Sequence, residues 1–159
     1  MAHYILGLDP GANGGAAVLR VDGESVTYMS GTRLPKLKLA GKTILDTRAL
    51  LKFLSGYPLL NSAVIEKVSS FGMGRTSAFS FGRSCGALDA IAATHAAVVN
   101  YVTPQAWKAH HGLLRCTKRD SIDKARDLFP SFNLFRLVDD GVAEAALMAT
   151  YQHSLEQSE

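Results

Sequence analysis

Two turn signals within the first 24 residues constrain the fold more than any other feature of the chain. Residues 4–9 form an apolar run ending on Asp9, residues 11–15 are Gly-rich, and residues 15–21 are apolar again. That is a strand, a tight turn and a second strand. Asp22-Gly23 follows, a dipeptide whose residues tolerate the positive φ of a two-residue hairpin loop. Residues 25–30 therefore pair back as a third strand, and the chain opens with an antiparallel meander. Helical spacing covers residues 46–55, with Leu50, Leu51 and Leu54 on one side. Residues 62–68 read as a fourth strand, 69–77 as a Gly-rich loop and 77–96 as a long helix of small residues. Residues 97–103 give a fifth strand, followed by helices at 104–110 and 118–129 and a last one from Asp139. The basic Lys/Leu/Pro stretch 32–42 reads as a loop. Strands reached through helical crossovers pair in parallel. The expected fold is α/β: a mixed five-stranded sheet, three strands antiparallel and two parallel, flanked by helices.

At 159 residues, 47% hydrophobic and 19% charged, the chain suits one globular domain spanning residues 1–159. Its apolar runs are far short of a membrane span and it opens with no signal-peptide pattern. Cys85 and Cys116 form no CxxC and no Cys/His zinc spacing, as expected of a cytoplasmic protein with reduced thiols. His110 and His111 have no third His at ligand spacing and read as DNA-facing or neutral surface residues. The net charge is +3, too small to define a partner. Its distribution says more: between residues 101 and 130, Lys108, Arg115, Lys118, Arg119, Lys124 and Arg126 face only three aspartates. A solvated face explains that charge as readily as an anionic partner does.

Acids inside apolar segments are more telling. Asp9 ends the first strand, Glu66 lies between Ile65 and Val68 on the fourth, and Glu144 interrupts an otherwise apolar helical stretch. Asp140 stands four residues before Glu144, on the same helix face. Each has an ordinary explanation: a turn residue at Asp9, an outward strand end at Glu66, an N-cap at Asp139 or Asp140 with Asp139 the better candidate, and a surface position at Glu144. Together they are more specific, because grouped carboxylates repel one another unless a cation lies among them. Oxygen-only ligands favour Mg²⁺ or Mn²⁺, the ions that hold a phosphodiester for hydrolysis.

The segments "GLDPG", "IEKV" and "DDGVAEAALMA" resemble those of the RuvC-like Holliday junction resolvases of the RNase H-like superfamily, above all the phage and prophage branch. "FSFGRSCGALDAI", "VTPQAWK" and "TKRDSIDKARDLFP" resemble that family's long helix and its segments with DNA-binding lysines. The resemblance implies an RNase H-like fold, a homodimer in a bacterial or phage-infected cell, and an Mg²⁺- or Mn²⁺-dependent endonuclease that cuts four-way DNA junctions symmetrically. It assigns metal ligation to Asp9, Glu66 and Glu144. Bacterial members usually carry Asp at the last position, and the acid or His before it stands three residues earlier. Here that earlier position is Gly141, so the ligand role passes to Asp140. Lys108 and Lys118 match basic positions near the scissile phosphate, with Arg119 beside them. Lys118 also starts a helix, where backbone N–H groups favour an anion.

The loop 69–76 carries Phe71, Met73 and Arg75 beside the strand that holds Glu66, a composition suited to stacking on or wedging between bases at a branch point. Packing of Phe71 onto the core is the alternative. Trp107 reads as core or interface, and Gly14 and Gly15 as low bulk where a phosphate backbone approaches. The helix 77–96 is the expected dimer element. Two other functions fit the same acids: a nuclease of this fold acting on other branched DNA or RNA–DNA hybrids, and a junction-binding protein without cleavage. The displaced Asp140 is the one feature that favours the last.

Overall fold

In the computed structural model, which describes residues 1–158, the opening meander forms as β1 (His3–Asp9), β2 (Gly15–Asp22) and β3 (Ser25–Arg33). β1 and β2 pair antiparallel from His3↔Val21 to Asp9↔Gly15. The expected fourth and fifth strands are β6 (Leu60–Glu66) and β7 (Ala96–Val102), both parallel to β1, and the sheet order is β3-β2-β1-β6-β7. Three antiparallel and two parallel strands thus make one mixed sheet, as the turn signals and helical crossovers required.

One expectation fails. The stretch 32–42 is not a loop: β3 runs on to Arg33, and β4 (Lys36–Leu39) pairs with β5 (Lys42–Leu45) as a separate hairpin. Ala40 and Gly41, at its tip, have φ of 49° and 76°. Positive φ at both loop residues is the twist that a two-residue hairpin needs. The strict Lys-Leu-Lys-Leu alternation of residues 36–39 was the available signal.

The sheet is covered on both faces, and strand periodicity assigns each side chain to one. Leu6, Leu8, Ala16, Val18, Ala63 and Ile65 pack with Leu50 and Leu54 of α1 (Thr47–Leu54) and with Leu88, Ile91 and Ala92 of α2 (Arg75–His95). Ile5, Ala17, Leu19, Val21 and Val64 face the other way. They pack with Trp107 of α3 (Pro104–His110), Ile122 and Ala125 of α4 (Lys118–Leu128), and the buried stripe of α5 (Asp140–Glu156).

α5 lies across β1 and β2 at backbone distance. A Cβ on Gly7 would overlap the Ala145 carbonyl, and one on Gly15 would come within 2.5–2.7 Å of Gly141 and Val142 backbone. Gly14 and Gly141 form an isolated bridge. Gly14 and Gly15 therefore do not leave room for a phosphate backbone, as their lack of bulk suggested; the last helix fills that space. Among the described residues, no helix is long and apolar enough to cross a membrane.

Candidate active site

Asp9 and Glu66 are brought together by register. β1 and β6 pair in parallel up to Leu8↔Ile65, and each acid is the next residue on its strand. Asp9 keeps step with Ile5 and Gly7, and Glu66 with Val64, so both stand on the face that carries α5. Asp140 and Glu144 come from the first turns of α5, which enters over the same strand ends. Asp9, Asp140 and Glu144 line a cleft of about 370 Å³ whose other wall holds Lys108, Lys118 and Ser121. Glu66 stands at its margin, within electrostatic reach of Asp9 and Glu144.

Each carboxylate has a distinct set of neighbours. Asp9 is 7% exposed, and its Oδ1 accepts a 2.9 Å hydrogen bond from Gly11 N–H. Burial pushes its carboxyl up to about 7, the Gly11 hydrogen bond opposes that rise, and Glu66, Glu144 and Asp140 add to it. Glu144 is raised by burial in the same way, with Lys108 as its chief counterweight. Its Oε1 accepts from Ser121 Oγ at 3.2 Å and lies 3.7 Å from Lys108 Nζ. Glu66 Oε1 accepts from the Trp107 indole Nε1–H at 2.9 Å. Asp140 Oδ2 pairs with Lys118 Nζ at 3.0 Å, while its Oδ1 is sealed from solvent with no hydrogen-bond partner among the described residues.

The displaced acid has a steric cause. A side chain at position 141 would run into Asn13 O and the Gly14 backbone, because α5 touches the β1–β2 turn there. Only glycine fits there, and Asp140, the residue before it, is the acid that lines the cleft. Asp139 does occupy the N-cap position, but it makes no side-chain cap to α5. It accepts from Arg136 N–H at 3.3 Å and faces the Arg33 and Arg136 guanidinium groups at 3.6 Å each. The two arginines hold it away from the residues that line the cleft.

The other named residues divide. Lys108 and Lys118 join the cleft; Arg119 does not, and donates instead to the Phe135 carbonyl at 2.8 Å. Lys118 is the first residue of α4, behind a Thr117/Asp120 capping box. Phe71 is 96% exposed, so it does not pack on the core; Met73 and Arg75 are exposed beside it. Trp107 is fully buried in the core, and its role in orienting Glu66 had no signal in the sequence; neither had that of Ser121 on Glu144. His111 is not a surface or DNA-facing residue. It is buried under α5, donates Nε2–H to the Leu147 carbonyl at 2.8 Å, and burial lowers it to about 4, so it is neutral.

The donors that Asp9, Asp140 and Glu144 offer the cleft are all oxygen, and Asp140 Oδ1 is left without a partner among the described residues, which suits a hard divalent cation. Lys108 and Lys118 offset part of the mutual repulsion. Among the described residues the carboxylates do not yet stand at mutual ligand distance, so an ion would have to draw them together. Sheet order, the α5 crossing and the carboxylate positions together describe an RNase H-like fold. Two solved structures carry the likeness further. The Thermus thermophilus RuvC structure matches at a TM-score of 0.59 and 20% identity, covering 95% of this chain and 96% of that one. T. thermophilus RuvC in complex with a Holliday junction substrate matches at a TM-score of 0.60 and 16% identity, covering 92% and 90%. The chain has the RuvC-like fold. No family model and no curated protein matches it.

Proposed function

We propose that this protein is a divalent-metal-dependent endonuclease that resolves four-way DNA junctions as a homodimer. One observation carries the reading: Asp9, Asp140 and Glu144 converge from β1 and α5 on one cleft edged by Lys108 and Lys118, with Glu66 of β6 at its margin. The similarity to a resolvase solved on its junction supports the choice of substrate.

The four carboxylates would hold Mg²⁺ or Mn²⁺, which when bound supplies a lowered water pKa and charge compensation at the phosphodiester. The chain's own residues set the rest. Trp107 fixes Glu66 and Ser121 fixes Glu144, so two of the four ligands are oriented before anything binds. Lys108 and Lys118 hold the negative charge of the cleft in balance, and their ammonium groups are free to turn to phosphate oxygens once a cation takes over that duty. The amino end of α4 is already occupied by the Asp120 carboxylate of its capping box, so the phosphate affinity of Lys118 rests on its ammonium group. Phe71 and Met73, exposed on the loop after β6, are suited to stack on bases at the branch point.

The dimer rests on two features. A Cβ at Gly82 or Gly86 would meet nothing within 4 Å, and Phe79 is 72% exposed, so one face of α2 is both bare and closely approachable. Symmetric cuts also require two sites. The close contact at Gly141 gives the position of Asp140 a steric reason, which supports the catalytic reading over a protein that binds without cleavage.

The test is cleavage, in Mg²⁺ and in Mn²⁺, of a four-way junction, a flap, linear duplex and an RNA–DNA hybrid, with mapped cut positions. Paired symmetric cuts in the junction, abolished by Asp9→Asn and Glu66→Gln, are expected. Preference for the hybrid, or full activity in either variant, defeats the reading.

A further inference from the structure

The fold builds a second cluster of ligating side chains at the opposite end of the sheet. His3 opens β1, six residues or about 20 Å along the strand from Asp9. His153 and Glu156 lie three residues apart on the last turns of α5, on one helix face. One ligating atom from each of the three falls within 4.8 Å of the other two. Glu156 Oε2 stands 3.8 Å from His3 Nε2, close to the roughly 3.3 Å that separates two ligands bound to one tetrahedral ion at 2.0–2.1 Å.

The surroundings are those of a ligand set rather than of an ordinary ion pair. Glu156 Oε1 is already held by Ser62 Oγ at 2.7 Å and by Gln152 Nε2 at 2.9 Å. That leaves Oε2 free to face His3, with the outer-shell support that a metal-binding carboxylate usually has. His153 is 7% exposed, and its Nδ1 is sealed from solvent with no hydrogen-bond partner among the described residues. A buried imidazole nitrogen left bare is costly, so the fold gains from a group that engages this ring. The carboxyl end of α5 adds a partial negative charge that favours a cation. Beside the cluster opens a cavity of about 540 Å³, lined by Asn61, Asn100 and Tyr101 among others, which leaves space for a water or a further ligand.

We propose that His3, His153 and Glu156 form a transition-metal site of the Zn²⁺ class, separate from the carboxylate cleft. Two imidazole nitrogens and one carboxylate select Zn²⁺ over Mg²⁺, whereas the all-oxygen cleft selects the reverse. The ion would tie the end of α5 to the start of β1, with one coordination position open to the cavity.

The test uses the untagged full chain carrying Asp9→Asn and Glu144→Gln, which weakens the cleft as a competing site. After chelation and dialysis it is titrated with Co²⁺ and then Zn²⁺. One Co²⁺ per chain, with the intense visible bands of low-coordinate nitrogen ligation and displacement by equimolar Zn²⁺, is expected. Adding His3→Gln should weaken binding roughly tenfold or more, as loss of one ligand in three demands. His3 is half-buried at a strand start, so that variant keeps its fold, to be checked by circular dichroism, where His153→Gln is less secure. His3→Gln alone should leave Mg²⁺-dependent junction cleavage unchanged, which separates this site from the nuclease reading. Absence of the visible bands, no bound Zn²⁺, or unaltered affinity in His3→Gln overturns the proposal.

Discussion

Replacing Asp9 by Asn should make the metal-free protein more stable, although it removes a residue at the centre of the candidate active site. Asp9 is held at about 7 against an ordinary value of 3.8, chiefly by burial. Between those two pH values the unfolded chain has released its proton and the folded chain has kept it. Stability is therefore unaffected below about pH 4, falls as pH rises through that window, and stays reduced above pH 7. At 1.36 kcal/mol per pH unit the full penalty is about 4 kcal/mol. Relaxation and water entry reduce it, so a gain of about 2–4 kcal/mol is expected for Asp9→Asn at pH 8. An amide oxygen still accepts the Gly11 N–H bond, so the variant loses little else. For a chain of this size that gain amounts to roughly 5–15 °C in Tm. The assay is urea and thermal unfolding by circular dichroism, wild type against variant, in chelator from pH 4 to 8. The variant's advantage should grow from about pH 4 and level off above pH 7. Saturating Mn²⁺ should then raise the wild type and leave the variant almost unmoved. An advantage that does not change with pH, or no advantage at pH 8, refutes the argument that buried charge at Asp9 burdens the fold.

Gly141→Asp, which restores the spacing usual in bacterial resolvases, should destabilise by more than about 2 kcal/mol and lower cleavage, because the new Cβ overlaps Asn13 and Gly14 backbone; denaturant midpoints and a junction assay check both. Trp107→Phe keeps the packing but deprives Glu66 of its indole donor. It should cost about 1–3 kcal/mol and raise the Mg²⁺ concentration needed for half-maximal cleavage, with the shift in metal requirement the decisive measurement. His111 is neutral in the folded protein down to about pH 4 and titrates at 6.5 when unfolded. As pH falls from 6.5 to 4 the unfolded state gains the proton first, so this group removes about 2–3 kcal/mol across that range. His111→Gln should flatten that acid limb, and a loss of stability identical to wild type would count against it. Lys118→Ala should weaken junction binding and reduce its salt dependence by about one phosphate contact, measured as the slope of log affinity on log salt.

The sheet was legible because its signals are local. Alternating apolar runs, the Gly-rich turn and Asp22-Gly23 specify the meander, and helices between later strands specify parallel pairing. The 32–42 hairpin was missed because basic composition obscured a period-2 alternation of only four residues. All four acids could be singled out for the same reason: a carboxylate within an apolar run stands out in one dimension. Asp139 and Asp140 could not be told apart by pattern, since both stand at the start of the helix. Their separation depends on Arg33 and Arg136, which reach Asp139 from a distant strand and the turn before α5.

The sequence by itself determined the mixed five-stranded sheet and its flanking helices and singled out the candidate acids, because strand period, helix period and turn chemistry act over a few residues. The tertiary structure decided what depends on residues far apart in the chain. It seats α5 on Gly7, Gly14 and Gly15, which admits only glycine at 141 and leaves Asp140 as the acid that lines the cleft. It buries His111 beneath Leu147, points the Trp107 indole at Glu66, and gathers His3 with His153 and Glu156 from opposite ends of the sequence. Those contacts follow from the packing of α3 and α5 on one face of the sheet, and no spacing along the chain encodes them.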